Sequence, residues 1–274
     1  MTQTLFKLVV KGTYSSLTSK WILGYIMTFT SLSLTFSHLG LLGLGTVGFR
    51  AYSGALAGII NLNLYIVPLI STVTASLSIV SEREQGTLEF HLSLPITRSE
   101  LVVAKALTTI LTIVIATMLG YGISSWYLMF VLTELDLLIL LKILAATLLM
   151  VFAFVGLGTL ITVIASSRFA ALAASIALWI FLAMIYEMAL MALVMVFRLS
   201  AADLWLLMIL NPLEASRLLM IYSVDPAMTF LGELGHFLVR EAGEWFVYPL
   251  IAMPLVYGVA GLLAGLYIFR NSDL

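Results

Sequence analysis

Residues 140–165 read LLKILAATLLMVFAFVGLGTLITVIA, 26 residues that carry a single charge, Lys142. As an α-helix the run is about 39 Å long, more than the roughly 30 Å hydrocarbon core of a bilayer. Such a segment is a membrane span, and it is not alone. Long apolar runs also cover 21–42, 57–80, 105–131, 170–197 and 245–269. Lone polar residues inside them, such as Asn61, Asn63 and Ser71, can bond within a helix bundle. The whole chain of 274 residues is 62% hydrophobic and 10% charged. A soluble domain carries roughly 45–50% apolar and about 25% charged residues. The composition therefore predicts an all-α integral membrane protein with six transmembrane helices, built as one domain over 1–274.

Other classes are set aside by the same inventory. A net charge of −1 gives no basic field for nucleic acid. Cysteine is absent, which excludes disulfides, thiolate metal sites and cysteine nucleophiles. Residues 1–20 are expected to form an interfacial helix rather than a cleavable signal, because Lys7, Lys11 and Lys20 interrupt the apolar run. Leu5, Leu8 and Val9 share one face of it, and Lys7 and Lys11 lie one turn apart on another.

Lys and Arg in the flanks indicate orientation. With both termini cytoplasmic, the inner side holds Lys7, Lys11, Lys20, Arg83, Arg98, Lys105, Arg168 and Arg270. The outer side holds Arg50, Lys142, Arg198, Arg217 and Arg240. The expected address is a cell membrane, multi-pass. Spans four and five are joined by the tight turn SSRFA at 166–170, whereas 198–244 forms a long extracytoplasmic segment. Within it LWLLMIL at 204–210 and SRLLMIY at 216–222 flank Asn211-Pro212, and neither run is long enough to span. They are expected to be short re-entrant or surface helices broken at the proline.

The polar stretch SEREQGTLEFHLSLPITRSELVVAK at 81–105 separates spans two and three. Ser81 with Glu84, and Thr97 with Glu100, have capping-box spacing. Gly86 permits a sharp break, Thr87 can cap a stub helix LEFHLSL, and Pro95 ends it. A capped amphipathic stub on the cytoplasmic side suits docking into a groove of a soluble partner. Leu88 and Leu92 would enter the groove, with Glu82, Arg83, Glu84, Glu89 and Arg98 as a charged rim. The plain alternative is a well-capped, solvated loop.

The pattern E-x-E-x-G-T-L-(x)6-P-x-x-R-(x)6-K resembles the coupling-helix signature of ABC-2 family exporter permeases, on Glu82, Glu84, Gly86, Thr87, Leu88, Pro95, Arg98 and Lys105. More narrowly, the chain is similar to the permeases of nitrous oxide reductase and multi-copper-enzyme maturation systems. LNPLEASRL at 210–218 is a second, shorter point of contact, through Asn211, Pro212, Arg217 and Leu218. Ala104 departs from the glycine often found there. The resemblance implies a permease dimer docked on two copies of a separate ABC ATP-binding subunit. ATP and Mg would be held by that partner, since this chain has no GxxxxGK[ST] loop and no Gly-Lys pair. No cofactor and no catalysis are expected in the chain itself. The stub at 81–104 would transmit ATP-driven closure, with Arg168 as a second contact and an extracytoplasmic partner on 198–244.

Two features inside span five raise rival readings. Met184, Met188, Met191 and Met195 share one helical face, and thioethers suit copper(I), although methionine more often fills irregular interfaces. Glu187 is the acid placed inside a span, which marks it for a transport path or a dimer interface. An ion-coupled carrier with Glu187 as proton site, an exporter of lipid or drug-like cargo, an intramembrane enzyme and a passive scaffold are the competing functions. His38, His91 and His236 show no metal spacing and read as surface or interface residues.

Overall fold

The computed structural model describes residues 2–42, 49–88, 96–131, 136–197 and 199–271. Helix α1 (Thr2–Leu17) precedes the first span, α2 (Lys20–Leu42). The second span is α3 (Phe49–Glu84), the third α4 (Arg98–Val131) and the fourth α5 (Leu137–Ile164). The fifth is α6 (Arg168–Ile180) continued through a π-helical turn, Phe181–Ile185, into α7 (Tyr186–Phe197). The short helices α8 (Ala201–Ile209), α9 (Pro212–Val224) and α10 (Glu233–Phe237) follow, and α11 (Val247–Asn271) closes the bundle. Among the described residues six helices are long and apolar enough to cross a membrane, within about seven residues of the runs seen in the sequence.

Helix α5 sits at the centre, against α3 on one side and α11 on the other. Its contact with α11 is a backbone approach: a Cβ on Gly156 would stand 2.3 Å from the Gly258 carbonyl oxygen, and one on Gly258 would stand 2.4 Å from the Phe152 ring. Small residues at such crossings are how helices associate where lipid removes the hydrophobic drive. Against α3 the bond is polar. Thr162 Oγ1 accepts from the backbone N–H groups of both Ile79 (3.1 Å) and Val80 (3.0 Å). Span five is tied to α3 by Ser175–Ser76 (2.8 Å) and by Trp179 Nε1 donating to the Tyr65 carbonyl (2.9 Å).

Helices α8 and α9 pass the length and apolarity test only together, and they are bent by 114°. The expected break at Asn211-Pro212 is there: Asn211 caps α9 and Pro212 takes its first position. However, α9 does not lie on a surface. It is buried from Pro212 to Met220 with one exception, Arg217, and packs on α5, α11 and α3. The pair is a sharply bent elbow.

Two expectations are corrected. Ser81 and Glu84 do not form a capping box, because α3 runs unbroken to Glu84 and Ser81 Oγ donates back to the Leu77 carbonyl. Span three starts at Arg98, not 105, because the Thr97–Glu100 capping box nucleates it earlier. Span five, expected at 170–197, is present at Arg168–Phe197 and is widened by the π-turn at 181–185.

Candidate functional site

Two charged clusters stand out, far apart in the bundle. The first lies at the end that carries both termini, where Phe269 of α11 packs with Ile79, Leu101 and Val163. There α3 ends in a left-handed glycine cap. Gly86 has φ +69°, its N–H donates to the Arg83 carbonyl (3.2 Å), and the Thr87 N–H donates to that of Glu82 (3.0 Å). This paired pattern satisfies the last carbonyls of the helix and reverses the chain, which a residue with a Cβ resists at that φ.

The reversal brings Leu88 inward. It is 4% exposed, against Ile79, Val102 and Phe269 among others. Leu88 therefore anchors the stub to its own bundle instead of lying free for a partner's groove. Glu89, His91, Leu92 and Pro95, the rest of the expected docking face, lie outside the described residues.

Around the cap, both acids of the Glu-x-Glu pattern are engaged within the chain. Glu82 pairs with Lys105 of α4. Glu84 Oε1 accepts from the Arg168 backbone N–H (2.8 Å), and its Oε2 stands 3.0 Å from Arg168 Nε. A carboxylate at the first N–H of α6 also meets the positive end of that helix. Arg168 Nη2 donates to the Ser81 carbonyl (2.8 Å), and Arg83 Nη1 to that of Ala165 (3.3 Å). The last turn of α3 is thus clamped to the 165–168 turn on one side and to α4 on the other. Arg98 is half-buried at the start of α4. Glu82, Glu84, Gly86 and Arg168, four of the residues expected to serve coupling, therefore lie together at this end.

The second cluster was not foreseen as a unit. Arg217 Nη1 bonds Glu187 Oε1 at 2.7 Å and stands 3.4 Å from Glu214 Oε1. Side-chain exposure is 28% for Glu187, 18% for Arg217 and 2% for Glu214. Two carboxylates thus share one guanidinium, between span five and the elbow. The sequence reading placed Glu187 in a transport path or at a dimer interface, and Arg217 among the outer cations and in the 210–218 motif. The neighbouring Tyr186 donates to the Leu207 carbonyl (2.6 Å). The i, i+3 spacing of Glu214 and Arg217 was the visible signal; their approach to Glu187 depends on the elbow's bend.

The elbow and its neighbouring spans satisfy each other's open carbonyls. Tyr257 of α11 donates to the Leu210 carbonyl (2.8 Å), and Asn211 Nδ2 donates to the Leu182 carbonyl in the π-turn (2.8 Å). Exposed backbone at membrane depth is tolerated only with such partners.

Met184, Met188, Met191 and Met195 are 46%, 70%, 58% and 82% exposed, on the outward surface of span five. They do not point into the bundle. His38 bonds the Tyr127 hydroxyl at 2.5 Å, and His236 borders a shallow cavity with Glu233 and Arg240 at the other end. Among the described residues no three His, Asp or Glu groups converge on a metal position.

A family model described as ABC-2 family transporter protein matches residues 10–274. The chain is also 29% identical to the "Probable ABC transporter permease protein NosY" of Pseudomonas aeruginosa over 217 residues, 77% of this chain and 79% of that protein. The protein of the same name from Stutzerimonas stutzeri is 22% identical over 224 residues, 80% of this chain and 81% of its own.

Proposed function

The chain belongs to the ABC-2 transporter family and is a multi-pass transmembrane permease of it, and from this we propose that its terminal-end clamp receives the ATP-driven stroke of a separate ATPase subunit. Two copies of the permease would stand on two copies of that subunit, which alone binds ATP and Mg. Both termini and the 81–104 segment would be cytoplasmic. The 198–244 segment would face an extracytoplasmic partner, and the sequence resemblance favours a role in copper-enzyme maturation.

The observation that carries this reading is the pair of contacts, a hydrogen bond and an ion pair, between Glu84 and Arg168. It joins the last turn of α3, from which the coupling segment leaves, to the 165–168 turn that opens span five. A displacement of the Gly86 cap must therefore move span five with span two. Lys105–Glu82 brings span three into the same body. Leu88, sunk in the bundle, gives the stub a rigid root through which force passes to α11 at Phe269.

Glu187 held by Arg217 supports a structural charge group better than a free proton site, so the ion-coupled carrier loses its main residue. The outward methionine surface supports contact with lipid or a second copy better than a copper path.

The chain has no cysteine, so single cysteines report cleanly. Gln85→Cys, exposed beside the cap, is expected to cross-link to the co-expressed ATP-binding subunit. Phe130→Cys, 73% exposed at the opposite end of α4, is not. Equal cross-linking at both positions, or none at Gln85→Cys in a complex that still co-purifies, would refute the docking face.

A further inference from the structure

A cavity of about 740 Å³ lies between α1, the start of α2, the last turns of α3 and the start of α4. The α1 side of its wall is Leu8, Lys11, Gly12, Ser15 and Ser16, positions i, i+3, i+4, i+7 and i+8 that fall on one helical face. Gly12 lets that face come close to α4, since a Cβ there would stand 3.0 Å from the Thr108 side chain. The opposite wall is apolar in its body, with Leu77, Leu101 and Ala104. Along α3 it reaches from Glu82 at the mouth to Thr74, about 12 Å deeper at 1.5 Å per residue.

Three observations define what fits. Lys11 stands at the wall with no carboxylate paired to it among the described residues, whereas the other lysine, Lys105, is neutralised by Glu82. The deep end holds the Thr74 hydroxyl, buried and without a bonding partner. The outer face of α1 presents Phe6, Val10 and Tyr14, which are 68%, 50% and 72% exposed. A helix with that apolar stripe lies in the lipid interface, so the cavity it walls is open to lipid rather than to bulk water alone. The site is charged at the mouth, with leucines and hydroxyl side chains sharing its walls below.

We propose that this cavity binds one anionic phospholipid of the leaflet on the terminal side, its phosphate at Lys11 and Ser15 and an acyl chain against Leu77 and Leu101. The occupant would rest against the Glu82–Lys105 pair, next to the clamp. The site is independent of ATP coupling and stands whether or not the proposed docking face does.

The full chain, purified in mild detergent, is titrated with phosphatidylglycerol or phosphatidylcholine of matched chains and read by native mass spectrometry. One phosphatidylglycerol per chain should be retained in preference to phosphatidylcholine. Lys11→Gln should lower that retention about fivefold, the scale of one lysine at a lipid surface. Lys7→Gln, one turn away and off the cavity, should not. Equal retention of the two lipids, or equal loss in both variants, overturns the proposal. Displacement of the lipid by excess inorganic phosphate overturns it as well, in favour of a free-phosphate site. Should Lys11→Gln fail to fold, the unmodified protein gives the answer through Trp21, which lines the cavity. Brominated phosphatidylglycerol should quench the Trp21 emission, taken as the difference from Trp21→Phe, more than brominated phosphatidylcholine does. Equal quenching refutes the site.

Discussion

Arg217→Met should be among the most damaging single substitutions in the elbow, and the structure sets the scale. Arg217 holds Glu187 at 2.7 Å and Glu214 at 3.4 Å, and Glu214 is 2% exposed. Removing the guanidinium leaves two carboxylates near each other with little water to screen them. Breaking a buried pair by deleting one partner costs about 3–5 kcal/mol, mainly from the uncompensated charge. At about 2–4 °C per kcal/mol for a chain of this size class, the melting temperature should fall by roughly 6–20 °C. Glu187→Gln is different: it leaves Arg217 and Glu214 as a balanced pair and keeps an acceptor in place, so about 1 kcal/mol is expected. Replacing all three groups by apolar residues of similar size should recover much of the loss, as is common for buried ion networks. Thermal unfolding in detergent, followed by tryptophan emission, orders the variants. If Arg217→Met melts no earlier than Glu187→Gln, the cluster does not hold buried charge in the way argued here.

Tyr257→Phe removes the donor to the Leu210 carbonyl at the elbow and should cost roughly 1 kcal/mol in the same assay. Gly258→Val drives a side chain into the Phe152 ring, 2.4 Å from the Cβ position, and should destabilise by about 1–3 kcal/mol or more. Arg168→Gln should cost under about 1 kcal/mol, because Arg168 and Glu84 are 39% and 36% exposed, yet lower the permease's stimulation of its ATPase partner. Unchanged stimulation would separate the clamp from coupling. Changing Met184, Met188, Met191 and Met195 together to Leu should leave copper(I) stoichiometry unaltered in a titration; a loss of bound copper would restore the copper path.

The membrane architecture was legible because lipid imposes a one-dimensional rule. Twenty or so apolar residues must follow one another, and backbone bonds must close within the helix, so 140–165 declares itself without any partner. Local backbone chemistry was legible for the same reason. Gly86 ends α3, Thr97 with Glu100 starts α4, and Asn211-Pro212 breaks the elbow, each through bonds spanning a few residues. One local signal misled: Ser81 and Glu84 match a cap by spacing, but a helix already under way makes a serine bond back to its own turn. The Glu-x-Glu-x-Gly pattern could be placed in the coupling region, yet its acids turn out to hold Lys105 and Arg168, 23 and 84 residues away in sequence.

What no pattern in the chain conveys is which distant groups share a buried volume. Leu88 looks like a docking residue until Phe269 and Val163 are packed beside it. Glu187 looks solitary until a 114° bend carries Arg217 back to it. Charge pairing and burial act through space at a few ångströms, and only the folded bundle decides which residues come within that reach.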